Sequence, residues 1–506
     1  MEQGAQSVDR RPYPRALLAV SIVLAALAGL VVAECPAGAA EPSALVPAAF
    51  IPIGRLDNTL TGVQVQNPTG ARVNVSVRWV NPVSGDEESR TETRSVAGAA
   101  STTFLRQSGG HLAAQVLADG PVTVTVNHME DGRGVASSPG FTRGARKVFL
   151  PLLLRNHFRF STRVAIQNVS TTATAVHLIY LDLAGTPLGE DGVTLPPSGA
   201  HVFGPPEFLR LPVGDGRFTA RIEADSADVV ATVLEEGDGS VLGYGGLAER
   251  LAGSSLSVPL VAANNYGNYT GIQLVNVGSE PTTVVVTFGP NVADGSAPVP
   301  HCGSLQPRPV PLASRASRSL LQRDGPEALG SDPQFATCRY VGSATVANAD
   351  GQPASPLLAI VNQTGPSGSS AYEVVGDGQH GRVAQLPLLQ SHNHGIGSGV
   401  QVQNVGSTVN SARFTYGDNS AGGLPDFSAC PTPVATQEQT KQLNAMSAGG
   451  SVNILQTDLR NADGAPCVYV GSAIAEASGS GNLAAIVNQL VPGPFDKLAT
   501  YVTAPW

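Results

Sequence analysis

A chain of 506 residues with 42% hydrophobic side chains is long enough for about three to five domains with real cores. Its net charge of −9, with lysine only at Lys147, Lys441 and Lys497, excludes a general nucleic-acid binder, which needs clustered Lys and Arg. The charged fraction of 14% is low, and Gly 57 with Pro 38 points to many short strands joined by turns.

The N-terminus comes first. Arg10, Arg11 and Arg15 precede an apolar run from Ala16 to Ala33, and Ala37-Gly38-Ala39 supplies a small-residue exit. Residues 1–40 read as a secretory signal peptide, or as a signal anchor if residues 16–33 stay in the membrane. Residues 41–48 read as a linker. The rest of the chain is expected to be exported, extracellular or at the cell surface.

Four tandem repeats follow, at 49–146, 147–254, 255–383 and 384–506. Each opens on an apolar segment with a proline: Pro52, Pro151, Pro259 and Pro387, which lie 99, 108 and 128 residues apart. A proline has no N–H to give to a ladder, so it is expected at a strand start or a sheet edge. A polar loop comes next, then an alternating strand ending in Asn: Gly62–Asn67, Arg163–Asn168, Gly271–Asn276 and Gly399–Asn404. Val63 and Val65 point one way and Gln64 and Gln66 the other, as in a half-buried strand. The terminal Asn is expected to make a turn through its own backbone. A second alternating strand (Val73–Trp79, Val176–Tyr180, Val284–Phe288, Ala412–Tyr416) is expected to complete a hairpin with the first. Each repeat closes on a further pair, such as Tyr340–Val346 with Leu357–Asn362 and Tyr469–Ala475 with Leu483–Asn488. About seven short strands per hundred residues and no helical periodicity predict an all-β fold of tandem two-sheet sandwiches.

Of the 5 cysteines, Cys35 lies at the signal exit. Cys302 and Cys338 in the third repeat match Cys430 and Cys467 in the fourth. Four cysteines allow three pairings, and internal repetition favours Cys302–Cys338 with Cys430–Cys467.

Candidate binding residues lie in the polar loops after the prolines, where sandwich domains commonly carry function. Asn265, Tyr266 and Tyr269 combine amides with aromatic faces, which suits sugar rings. His392 and His394 share one loop, but no third ligand completes a metal set. No catalytic motif occurs: there is no G-x-S-x-G elbow, P-loop or H-E-x-x-H. No cofactor and no enzymatic activity is expected.

The pattern P-L-x(n)-G-[VI]-Q-[VL]-x-N followed by V-x-V-x-[YF] is carried by Pro387–Tyr416 and Pro259–Phe288, and more loosely by Pro151–Tyr180 and Pro52–Trp79. It resembles repeats of exported bacterial surface proteins with immunoglobulin-like sandwich domains. The resemblance implies four tandem immunoglobulin-like β-sandwich domains and a surface or extracellular role, and it carries over no functional residue. The expected function is a non-catalytic structural or adhesive protein, a stalk or scaffold presenting end loops. The alternative is a carbohydrate-binding module array. Expected partners are surface glycans or other extracellular proteins, with the membrane reached only through the N-terminal segment.

Overall fold

The computed structural model describes residues 44–53, 59–108, 113–130, 134–205, 208, 210–212, 214–237, 239–291, 301–325, 330–366, 368–393, 395–419, 440–443, 445–456, 466–491 and 497–502. The expected signal or anchor segment, His394 and Cys430 lie outside the described residues. Among the described residues there is no α-helix, and no helix is long and apolar enough to cross a membrane. Residues 44–506 cluster as one compact unit.

Repeat one contains β1 (Val46–Pro52), β2 (Thr59–Gln66), β3 (Val73–Val80), β4 (Glu87–Arg90), β5 (Arg94–Val96), β6 (Ser101–Ser108), β7 (Ala113–Ala118), β8 (Thr123–Glu130) and β9 (Gly134–Pro139). Repeat two contains β10 (Lys147–Arg155), β11 (Ser161–Asn168), β12 (Thr174–Leu181), β13 (Pro187–Leu195), β14 (Ala200–Phe203), β15 (Gly216–Ala224), β16 (Val229–Gly237), β17 (Ser240–Gly245) and β18 (Leu247–Ala248). Repeat three contains β19 (Ser255–Ala263), β20 (Tyr269–Asn276), β21 (Thr282–Pro290), β22 (Arg308–Leu312), β23 (Ser317–Leu321), β24 (Tyr340–Asn348), β25 (Leu357–Gly365), β26 (Gly368–Glu373) and β27 (Val375–Gly376). Repeat four contains β28 (Val383–Ser391), β29 (Gly397–Asn404), β30 (Ala412–Asp418), β31 (Thr440–Gln442), β32 (Ser451–Leu455), β33 (Tyr469–Ala477), β34 (Leu483–Val491) and β35 (Lys497–Val502). The first strand begins at Val46, inside the stretch read as a linker.

Each repeat builds two antiparallel sheets. In repeat one they run β1-β7-β3-β4, with β5 also on β3, and β6-β2-β8-β9. Repeat two has β13-β12-β15-β10-β18 and β14-β11-β16-β17; repeat three has β22-β21-β24-β19-β27 and β23-β20-β25-β26. Repeat four has β28-β33-β30-β31 and β32-β29-β34-β35. Each repeat centres a cluster of buried Val, Leu, Ile and aromatic side chains; that of repeat two takes in Leu358, Ile360 and Ala371 of repeat three, and that of repeat three takes in Ile486 of repeat four. Fully burying one such side chain contributes about 1.5–3 kcal/mol.

The expected hairpins do not form. The Asn-terminated strand and the next alternating strand lie in opposite sheets: β2 pairs with β6 and β8, while β3 pairs with β4, β5 and β7. The closing pair is split likewise, β7 pairing with β1 and β3, and β8 with β2 and β9. Period-two alternation fixes which face of a strand is apolar, but it does not name the strand's neighbour.

The Asn itself explains the crossing. Asn67, Asn168, Asn276 and Asn404 are fully buried. Asn404 Oδ1 accepts from the Gly406 N–H at 3.0 Å, which is the expected self-turn. Its Nδ2 also donates to the carbonyls of Thr408 (2.7 Å), Met446 (3.1 Å) and Ser447 (3.0 Å). Asn67 and Asn168 repeat the set of three donations, and Asn276 makes two of them. One amide thus ties the loop leaving its strand to the loop entering the neighbouring one.

In three repeats the recurring proline is not at a strand start; Pro387 is on β28, an edge strand as expected, while β10 and β19 each carry a two-residue strand, β18 or β27, on their outer side. Pro151, Pro259 and Pro387 sit inside strands, where the register slips between Leu150 and Leu153, Val258 and Val261, and Leu386 and Leu389. A bulge leaves backbone groups unpaired, so a residue without an N–H fits there. A tyrosine from the opposite sheet takes up the freed carbonyl: Tyr244 donates to Leu152 O, Tyr372 to Leu260 O and Tyr501 to Leu388 O, each at 2.5 Å. Repeat one has Ser138 at the corresponding place, opposite Val126. Replacing Tyr372 by Phe should leave the Leu260 carbonyl buried without a donor, costing about 1.5 kcal/mol. Urea unfolding of Tyr372→Phe beside the wild type checks this, and equal midpoints would refute it.

The four repeats close on one another. The short strand at the end of each repeat packs around a shared axis: β9 on β17, β17 on β26, β26 on β35, and β35 back on β9. Four seams repeat around it. The Ala200 N–H donates to Pro82 O between repeats two and one, and Ser317 N–H to Leu183 O between three and two. Asn291 bridges to Ser451 between three and four, and Asn419 to Ser101 between four and one. A glycine stands at each seam, Gly85, Gly185, Gly289 and Gly417, against a carbonyl of the next repeat. A Cβ there would lie 1.9–2.6 Å from that oxygen, so no larger residue fits without parting the seam.

Closure also corrects the half-buried reading of β2. Gln64 and Gln66 are as buried as Val63 and Val65. The amide face looks onto a neighbouring repeat instead of solvent: Gln66 Nε2 donates to Ala473 O at 3.0 Å.

Candidate functional site

Three of the four seams share one chemistry, and the seam between repeats two and three departs from it. Gln66, Gln167 and Gln403 occupy one position of the Asn-terminated strand. Each donates to an alanine carbonyl across its seam: Ala473, Ala114 and Ala344. Repeat three has Val275 there. It lines a small void of about 80 Å³ together with Ala220, the matching alanine of repeat two.

Nearer the axis, strand register aligns Asn127, Leu234, Asn362 and Asn488, each followed by His128, Glu235, Gln363 and Gln489. Across the seam of repeats four and one, Asn127 and Gln489 exchange two amide hydrogen bonds of 3.0 and 3.2 Å. Across the seam of three and four, Asn488 and Gln363 do the same at 3.0 and 3.2 Å. Between one and two the pair is apolar on one side, Leu234 packing with Ala136 and Val241. Burial lowers the pKa of His128 on that seam to about 4, which keeps its imidazole neutral.

Between repeats two and three the glutamine is replaced by Glu235. Asn362 Nδ2 donates to Glu235 Oε2 at 3.1 Å, while Glu235 Oε1 and Asn362 Oδ1 have no partner among the described residues. A carboxylate lacks the N–H donors that glutamine supplies at the seams of repeats three with four and four with one. Burial pushes the Glu235 carboxyl up to about 8, with the Asn362 hydrogen bond opposing. Burial therefore favours the protonated carboxyl. Glu373 on β26 lies on the same seam, accepting from the Gly245 N–H of β17, and burial pushes it up to about 7.

Beside this pair lies a cavity of about 410 Å³, lined by both repeats. From repeat two come Leu152, Leu154, Phe158, Phe160, Arg217 and Glu235; from repeat three come Tyr269, Gln273, Ser319, Leu321, Arg323 and Asn362. Arg217 Nη1 donates to Ser319 Oγ at 3.0 Å across the seam, and Ser319 Oγ donates to Gln273 Oε1 at 2.5 Å. This relay consumes the acceptor of Gln273. In repeats one and four the matching Gln64 and Gln401 accept in the same way, from Thr103 and Asn453, and also donate through Nε2 to Ser101 and Ser451. Gln273 is 4% exposed, and neither its Nε2 nor the Oγ of Ser317, which matches Ser101 and Ser451, has a partner among the described residues.

The sequence-derived candidates divide. Tyr269 lines the cavity, with the Arg323 guanidinium 4.7 Å from its ring centre. Asn265 and Tyr266 do not line it. They belong to a tight hairpin in which the Asn268 N–H donates to Asn265 O at 2.9 Å and φ is positive at both Tyr266 and Gly267. Arg339 Nε donates to Asn265 Oδ1 at 2.9 Å, and its guanidinium lies 5.4 Å from the Tyr266 ring centre. Repeat two has the same turn, with Phe158 and Arg159 at positive φ. Tyr266 and Phe158 are 65% and 69% exposed. His392 also has positive φ, in the matching loop of repeat four. Among the described residues no three His, Cys, Asp or Glu side chains gather to hold a metal.

The Cys302–Cys338 disulfide forms, and Cys467 is disulfide-bonded. Sequence reasoning missed Glu235, Arg217, Gln273 and Phe158. Aligning β16 with β25 and β34 exposes Glu235, because a carboxylate stands where two repeats have Gln. No protein-family model matches the chain, and no curated protein matches it.

Proposed function

We propose that this chain is a non-catalytic, exported adhesive scaffold. Its two-sheet repeats are read as four tandem sandwiches, immunoglobulin-like in architecture though not in connectivity, carried out of the cell behind residues 1–40. The Cys302–Cys338 disulfide supports an oxidising destination. Closure of the repeats supports a rigid scaffold more than an extended stalk.

The observation that carries the adhesive reading is the pair of hairpin tips. Phe158 and Tyr266 are bulky, exposed and held at φ of 49° and 51°. Gly or Asn would relieve a strain of about 1 kcal/mol at each tip. An aromatic ring there adds nothing to a core, and it offers a flat apolar face to a partner. The double replacement Phe158→Asn/Tyr266→Asn should abolish attachment of the exported chain to its surface partner while leaving thermal stability equal or slightly higher. The check is retention on cells and on polysaccharide-coated beads; unchanged retention by the double variant would sink this reading. A glycan as the adhered partner is favoured by the seam cavity, where Tyr269, Phe158 and Phe160 lie among amides and hydroxyls.

A further inference from the structure

We propose that the cavity between repeats two and three binds one carboxylated sugar ring, so that the chain carries a single acidic-saccharide site and not one site per repeat. This rests on the glycan form of the adhesive reading above.

The cavity lies at a seam whose chemistry departs from its neighbours. Where repeats three and four carry Gln363 and Gln489 nearer the axis, repeat two carries Glu235, which lines the cavity. The volume of about 410 Å³ falls within the roughly 300–1,000 Å³ of small-molecule sites.

Several of the polar groups at the cavity are donors. The relay Arg217–Ser319–Gln273 satisfies the oxygen of Gln273, whose buried Nε2 has no partner among the described residues. Arg217 and Arg323 add guanidinium N–H groups, and neither forms an ion pair among the described residues. Glu235 accepts from Asn362 Nδ2, and burial favours its protonated form. Asp215, exposed, is held by His157 Nδ1 at 2.6 Å. A donor-rich, cationic recess on a chain of net charge −9 selects an acceptor-rich anion. The aromatic faces of Tyr269, Phe158 and Phe160 select a ring with flat C–H faces. A uronic acid meets both demands, its carboxylate towards the guanidinium groups and its ring on the aromatics.

Calorimetric titration of the full exported chain with trigalacturonate and with maltotriose tests this. Trigalacturonate should bind, weaken as salt rises, and bind at least tenfold more weakly to Arg323→Ala and to Tyr269→Ala. Arg323 is exposed, so its replacement leaves the fold in place, and thermal unfolding verifies that. Arg217→Ala, acting from the other repeat, should lose binding as well. Equal binding of maltotriose, or an unchanged Arg323→Ala, overturns the acidic-sugar assignment while glycan adhesion stands. If neither sugar binds but tip-dependent attachment persists, the cavity site is refuted and the adhesive reading survives.

Discussion

Replacing Asn404 by Ala is expected to destabilise the chain by about 3 kcal/mol. The side chain is fully buried, accepts one backbone N–H and donates to three carbonyls. Each net hydrogen bond contributes about 1 kcal/mol, and each carbonyl left buried without a donor adds its own desolvation cost. Asn404→Asp is the sharper variant. It keeps size and the acceptor, but it sets a carboxylate against three carbonyl oxygens, so it should cost at least as much as alanine. Urea unfolding followed by circular dichroism measures both. An aspartate variant as stable as the wild type would show that the amide is not the clamp described.

The second large effect is a pH dependence written into one seam. Glu235 keeps its proton in the folded chain up to about pH 8, whereas an exposed glutamate releases it near 4.5. Between those values the folded state binds more protons than the unfolded state, so stability falls as pH rises through the window. The loss is of the order of 5 kcal/mol when complete. Glutamine at 235 mimics the neutral acid and matches the pairs Asn127–Gln489 and Asn488–Gln363. Glu235→Gln should therefore equal the wild type near pH 5 and exceed it clearly at pH 9. Glu373, raised to about 7, keeps a smaller slope of the same sign in the variant. Thermal unfolding at pH 5, 7 and 9 is the measurement, and parallel profiles for the two proteins would contradict the assignment.

The strands and the repeat were legible in the sequence because they rest on local rules. Alternating valines mark β2, β3 and β8, and the terminal Asn marks a turn that the Asn404 geometry bears out. Strand partners were not legible, since Val63 would alternate in the same way beside any neighbour. The seams were hidden for another reason. Gln64, Gln66 and Asn127 look like a solvated face, and only a neighbouring repeat turns them into buried pairs. The axis strands β9, β17, β26 and β35 escaped notice because small residues such as Ser137, Gly243, Ser370 and Ala499 carry little strand signal. At the site, Tyr269 could be suspected from its aromatic ring beside amides. Gln273 could not, because its importance lies in a hydrogen bond it fails to make.

The seam between repeats four and one joins residues more than 360 positions apart, as in Asn127 with Gln489. A linear string of four modules has three junctions, and the failure of any one releases a segment. Here a fourth junction returns the chain on itself, and every module is gripped from two sides. A protease that nicks one connecting loop leaves the severed parts held by the remaining contacts, and two junctions must fail before a module departs. The fourth junction is redundant for connectivity, and that redundancy slows the loss of a module after a cut.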